Sequence, residues 1–194
     1  MEAIAELPAQ AGNTLSDEDF YVFCQRNPDL RFEREPDGKL LIMPNTGGKT
    51  GNKNSRLNAF VSFWTMENQT GIEFDSSTAF RLPDGSTRSP DAAWVRLDRW
   101  NALTERQKEQ FPPLCPDFVV ELLSATDALK TAKAKMLDVW MQNGCRLAWL
   151  IDPKSQTTHV FRANGEIQII EGFDETLSGE DVLAGFTMPL NRLL

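Results

Sequence analysis

The segment from Asp117 to Ile151 constrains the fold more than any other part of the chain. Asp117-Phe118-Val119-Val120-Glu121-Leu122-Leu123 is an apolar run of strand length, and Leu147-Ala148-Trp149-Leu150-Ile151, closed by Asp152-Pro153, is a second. Between them Leu129, Ala132, Met136 and Trp140 recur three and four residues apart, the spacing of a helix buried along one face. Thr126 or Asp127 can cap that helix and Asn143-Gly144 can stop it. Strand, helix and strand in one connection predict a βαβ crossover with two parallel strands. Glu121 is an acid inside the first apolar run.

Elsewhere the pattern alternates between short strands and helices. Ser16-Asp17-Glu18-Asp19 followed by Phe20, Tyr21, Phe23 and Cys24 predicts a capped helix ending before Asn27-Pro28. Leu30 to Arg34 and Leu40 to Met43 flank Pro36-Asp37-Gly38 and predict a hairpin. A glycine-bearing loop, Asn45 to Gly51, leads to Leu57, Phe60, Val61 and Trp64, again at helical spacing. Extended runs follow at Ile72 to Asp75, Thr78 to Leu82 and Ser89 to Val95, broken by Pro83-Asp84-Gly85. Trp100 to Gln110 predicts one short helix closed by Pro112-Pro113, and Thr157 to Phe161 with Ile167 to Ile170 an edge hairpin around Asn164-Gly165. Val182 to Leu194 either packs or frays. The expected class is α/β in the broad sense, α+β in detail: a mixed β-sheet flanked by helices. The expected organisation is a single domain over 1–194, with a core of about 45–171 and residues 1–44 as an N-terminal helix and hairpin extension.

At 194 residues, 41% of them apolar, the chain can bury one sizeable core. MEAIAELPAQ carries two acids and no long apolar run, so neither a signal peptide nor a membrane span is expected, and the expected location is the cytoplasm. Cys24, Cys115 and Cys145 are odd in number and far apart, against a disulfide framework or zinc cluster. The net charge of −8 opposes non-specific attraction to a polyanion. Residues 88 to 135, however, hold eight basic against seven acidic residues, so a DNA-facing surface is expected on that middle segment.

The chemistry concentrates on two acids. A lone carboxylate at Glu121 costs several kcal/mol of desolvation unless compensated, and a metal ion is one compensator. The other acid in an apolar strand is Asp91, in Ser89-Pro90-Asp91-Ala92-Ala93-Trp94-Val95. If the two strands run antiparallel, both carboxylates reach the same end of the sheet, and with a backbone carbonyl they form the oxygen shell that Mg²⁺ takes. Asp117 and Asp152 imitate this pair, but the start of one parallel strand and the end of the next lie ~15–20 Å apart. Asp152-Pro153 reads as a turn, His159 as structural, and Gly47-Gly48-Lys49-Thr50 lacks the upstream glycine of a phosphate loop. The tryptophans and phenylalanines stand at core spacings.

SSTAFRLPDGSTRSPDAAWV, then PPLCPDFVVELLSATD, then NGCRLAWLIDP, resemble the Uma-two family, classed with restriction endonucleases in the PD-(D/E)XK nuclease superfamily. The resemblance runs from about Asn45 to GEDVLAGF and implies a restriction-endonuclease-like fold. Pro90-Asp91 matches the PD element and Glu121, thirty residues on, the (D/E) element. Position 123, where the superfamily's lysine stands, is Leu; the resemblance implies that the lysine has moved to the following helix, with Lys135 in AKAKM as the match. It also implies a spacing from this lysine to Asn143-Gly144 one residue shorter than here. Helical periodicity alone leaves Lys133 open, since it lies nearer the face of Leu129, Met136 and Trp140. The expected function is metal-dependent DNA endonuclease, with Mg²⁺ (or Mn²⁺) held by Asp91, Glu121 and the carbonyl of Leu122, and a homodimer to cut both strands. The alternative is a catalytically silent nuclease-fold protein acting as a binding or oligomerisation module.

Overall fold

A computed structural model describes residues 15–194; MEAIAELPAQ, with the expectation attached to it, lies outside the described residues. The chain runs through helix α1 (Asp17–Arg26), hairpin β1 (Arg31–Arg34) and β2 (Leu40–Met43), and the long helix α2 (Gly48–Asn68). Strands β3 (Gly71–Asp75), β4 (Phe80–Arg81), β5 (Thr87–Arg88) and β6 (Ala92–Arg96) follow, then helices α3 (Leu97–Asn101) and α4 (Glu105–Glu109). Strand β7 (Phe118–Leu122) opens the crossover, which passes through α5 (Leu129–Lys135) and a π-helix (Met136–Met141) to β8 (Leu147–Asp152). Strands β9 (Thr157–Arg162), β10 (Ile167–Glu171), β11 (Thr176–Ser178) and β12 (Thr187–Pro189) lead to a 3₁₀ turn at Leu190–Leu193.

The main sheet has six strands in the order β10-β9-β8-β7-β6-β3. Strands β7 and β8 are parallel, as the crossover requires, and the other neighbours are antiparallel. Because side chains alternate along a strand, the apolar run of β7 feeds two cores. Phe118, Val120 and Leu122 pack on one face with Leu57 and Val61 of α2. Val119 packs on the other with Met136 and Trp140 of the crossover. Each such side chain contributes about 1.5–3 kcal/mol on burial. The C-terminal segment packs, with Leu183, Phe186, Met188, Leu190 and Leu193 joining the α2 side of the core. This is the expected mixed sheet flanked by helices.

Four local features differ from expectation. Helix α2 begins at Gly48, inside the expected loop, and contains Gly48, Gly51, Asn52, Asn54, Ser55 and Asn58, all poor helix formers. Burial of Leu57 and Val61 overrides propensity here. The Trp100 to Gln110 stretch is two helices, because Thr104 and Gln107 form a capping box that starts α4 afresh. At the crossover the cap position is Ala128; the Asp127 carboxylate instead accepts from the Ser124 N–H at 2.7 Å and closes the preceding turn. The hairpin is built into a second sheet of order β2-β1-β5-β4, joined where Arg34 faces Thr87.

Candidate active site

Antiparallel pairing of β6 with β7, with Ala92 opposite Val120, sets Asp91 beside the Glu121–Leu122 end of β7. The Asp91 N–H donates to the Val120 carbonyl at 3.0 Å, and its Oδ2 accepts from the Leu122 N–H at 2.7 Å. A residue's N–H and C=O point to the same side of a strand, so the Leu122 carbonyl also faces the Asp91 edge. Two asparagines one turn apart on α2 complete the hold: Asn54 Nδ2 donates to Asp91 Oδ1 at 3.0 Å and Asn58 Nδ2 to the Asp91 carbonyl at 2.9 Å. These bonds explain why the inner face of α2 carries asparagines where better helix formers would otherwise stand.

By strand alternation Glu121 shares the face of Val119 and Leu123, and Asp91 that of Ala93 and Val95, all in the core beneath the crossover helix. Glu121 Oε1 accepts from Trp140 Nε1 at 2.8 Å and lies 2.9 Å from Lys135 Nζ. Lys135 and Trp140 are five residues apart, which in an α-helix separates them by ~140° around the axis. The π-helix, with i→i+5 bonding such as Gln142 N–H to the Leu137 carbonyl, brings both over the same carboxylate. Of the two lysines left open by periodicity, Lys135 meets Glu121.

Residues outside the expected set also converge here. Glu33 of β1 is 2% exposed; Arg88 Nη1 donates to its Oε2 at 3.0 Å and the Ser89 N–H to its Oε1 at 3.0 Å. Lys135 Nζ stands 3.8 Å from the same Oε1. A FER triplet in a hairpin resembles any edge strand, and only the pairing of β1 with β5 brings it to this place. The imitating acids lie apart: Asp117 pairs with Arg99 at 3.0 Å and accepts from the Arg96 N–H, while Asp152 caps its own turn through the N–H groups of Lys154 and Ser155. His159 is buried on β9 with no hydrogen-bond partner at Nδ1 among the described residues.

Burial raises the Glu121 carboxyl from its ordinary 4.5 to about 7; the charges of Asp91 and Glu33 add to the rise and Lys135 opposes it. Burial likewise raises Asp91, against the Leu122 N–H, Lys135 and Asn54. Burial disfavours the Lys135 ammonium, yet Glu121 and Glu33 hold it above its ordinary range. Such mutual strain between two acids is relieved by a divalent cation. Among the described residues no group of three or more His, Cys, Asp or Glu is arranged to hold a metal ion. Two carboxylates and a backbone carbonyl are the oxygen donors that could hold a cation here, a hard set of the kind Mg²⁺ or Mn²⁺ takes and unlike the Cys and His set of a structural zinc ion.

A mixed sheet with a parallel crossover, flanked by helices and bearing this cluster at one end, has the architecture of the restriction-endonuclease-like nucleases. The chain belongs to the Uma2 family, described as "Putative restriction endonuclease", whose model matches residues 17–191. Its structure is similar to the crystal structure of a "putative nuclease belonging to DUF820" from Anabaena variabilis ATCC 29413, with TM-score 0.73 and 19% identity over 92% of this chain and 97% of that one. At that identity the likeness shows the fold. A fainter one, TM-score 0.36 and 12% identity over 63% of this chain and 12% of that one, is to a cryoEM structure of a DrdV–DNA complex and carries no argument. Among curated proteins none matches the chain. No helix of the described residues is long and apolar enough to cross a membrane.

Proposed function

We propose that this protein is a metal-dependent endonuclease that hydrolyses DNA phosphodiester bonds. The observation that carries the reading is the convergence of Asp91 and Glu121, from antiparallel neighbours, on one sheet end, with the Lys135 ammonium 2.9 Å from Glu121. Asp91, Glu121 and the Leu122 carbonyl would hold Mg²⁺ or Mn²⁺. Such a cation, when bound, supplies Lewis acidity to the phosphate and a bound water of lowered pKa.

The protein's own groups do the rest. Asn54 and the Leu122 N–H fix the Asp91 carboxylate, and the Trp140 N–H fixes that of Glu121, so neither has to reorient on binding. Lys135 orients the attacking water or neutralises the charge that develops on the phosphate. An isologous homodimer supplies two such sites for the two strands of a duplex.

A second reading, a silent nuclease-fold module, is favoured by the charge of −8. Thermal melting with rising Mg²⁺ or Mn²⁺ separates the two. The nuclease reading expects a rise in melting temperature that is abolished by Asp91→Ala and by Glu121→Ala, together with plasmid nicking lost in the same variants. No rise, or nicking that survives both substitutions, sinks it. Turnover of nucleotides without cleavage of polymer would instead indicate a small-molecule phosphohydrolase.

A further inference from the structure

Lys135 stands between two carboxylates, 2.9 Å from Glu121 Oε1 and 3.8 Å from Glu33 Oε1. We propose that Glu33 is a positioning residue that takes over the Lys135 ammonium when Glu121 engages a cation; the inference rests on the metal-dependent reading above.

A partly buried ammonium such as that of Lys135, whose side chain is 25% exposed, has three donors and costs free energy without a counter-charge. Glu121 supplies that counter-charge through the same Oε1 that accepts from Trp140. A divalent cation at Glu121 draws on this carboxylate and, a few ångströms from the ammonium, repels it. Lys135 then requires another partner within a small movement, and Glu33 is the one the fold provides. Glu33 is placed to receive and not to ligate: its Oε2 is held by Arg88 and its Oε1 by the Ser89 N–H, leaving Oε1 lone-pair capacity toward Lys135. With Asp91 and Glu121 it makes no three-acid metal cluster. The position is rigid, because β1 is paired on both sides, with β2 and with β5. On this view the N-terminal hairpin is a working part of the site: it stores the lysine's charge so that cation binding does not strand an ammonium.

The test is a double-mutant cycle on Mn²⁺ affinity, measured by calorimetry on the full chain and requiring no turnover. Glu33→Gln keeps an acceptor for Arg88 and Ser89 and removes the charge offered to Lys135. In the native background it should weaken Mn²⁺ binding about tenfold, the low end for groups that support metal ligands. In a Lys135→Met background, where no ammonium needs rehousing, the same change should cost less than about threefold, the residue of a partly screened distant charge. An equal loss in both backgrounds overturns the inference and leaves the metal reading standing, whereas a native chain that binds no Mn²⁺ overturns both. Should Glu33→Gln fail to fold by its melting curve, Glu33→Asp carries the same comparison, since it keeps the charge but withdraws it from Lys135.

Discussion

At position 121 the fold holds a carboxylate where burial and two neighbouring acids oppose its charge. Its pKa is raised from 4.5 to about 7, so the protonated form is favoured in the folded chain relative to the unfolded one. The linked stability is therefore fully present below about 4.5 and is lost as the pH rises through about 7. The cation-free protein should melt at progressively lower temperature from pH 5 to pH 8, and Glu121→Gln should flatten that decline. Cation binding needs the ionised carboxylates and so runs the other way: Mn²⁺ affinity should climb about tenfold per pH unit below about 7 and level off above it. Melting curves over this range, with and without Mn²⁺, check both slopes. A stabilisation by Mn²⁺ that is as large at pH 5.5 as at pH 8 would exclude Glu121 as the ligand.

The elements divide sharply in how far the sequence discloses them. The crossover and the hairpins are legible because apolar periodicity and turn residues are local signals, whereas the antiparallel pairing that sets Asp91 against Glu121 is a long-range choice that the sequence leaves as a condition. The helix that carries Asn54 and Asn58 starts where glycines signal a loop, since its stability comes from tertiary packing and from the bonds to Asp91. Glu33 is illegible because its role arises only when β1 pairs with β5. The lysine is the most instructive case. An α-helical wheel leaves Lys133 and Lys135 both open, and the π-helix at Met136–Met141 rotates Lys135 onto Glu121 together with Trp140. That rotation can be reversed. Deleting Leu137, which is 41% exposed, should return the segment to α-helical register and turn Lys135 away from Trp140 by ~100°. Cleavage should then fall at least as far as in Lys135→Met, by about 100-fold or more, the scale of one lost charge-stabilising donor. Lys133→Met should leave cleavage within about threefold, as for an ordinary surface change. Initial rates on supercoiled plasmid, alongside melting curves that show the variants folded, check the ordering. A deletion variant that cleaves at the native rate would detach the π-helix from function.

Over the whole molecule the charge of −8 sets the terms on which a polyanion can approach. The near-neutral middle segment, expected to face DNA, has most of its cations engaged within the fold. Arg88, Arg96, Arg99, Arg106, Lys108 and Lys135 all have carboxylate partners. Of the eight basic residues from 88 to 135, that leaves Lys130 and Lys133 without an ion pair among the described residues. On α2, Lys53 donates to the Leu193 carbonyl and Arg56 to those of Arg192 and Leu194, tying the C-terminal turn to the helix. The sequence counts these charges but cannot say which are already matched, and it is the unmatched ones that release counterions from a duplex. With two free cations on this segment, one chain should neutralise only about two phosphates there. The logarithm of DNA affinity should then fall with the logarithm of salt with a slope of about −2. Fluorescence anisotropy of Asp91→Asn on a labelled duplex, across a series of salt concentrations, measures this slope without cleavage. A slope of about −4 at protein concentrations that favour association would mean that two copies engage one duplex, as the homodimer requires. A slope that steep for a demonstrably monomeric chain would contradict the charge pairing described here and place the DNA on a basic surface elsewhere.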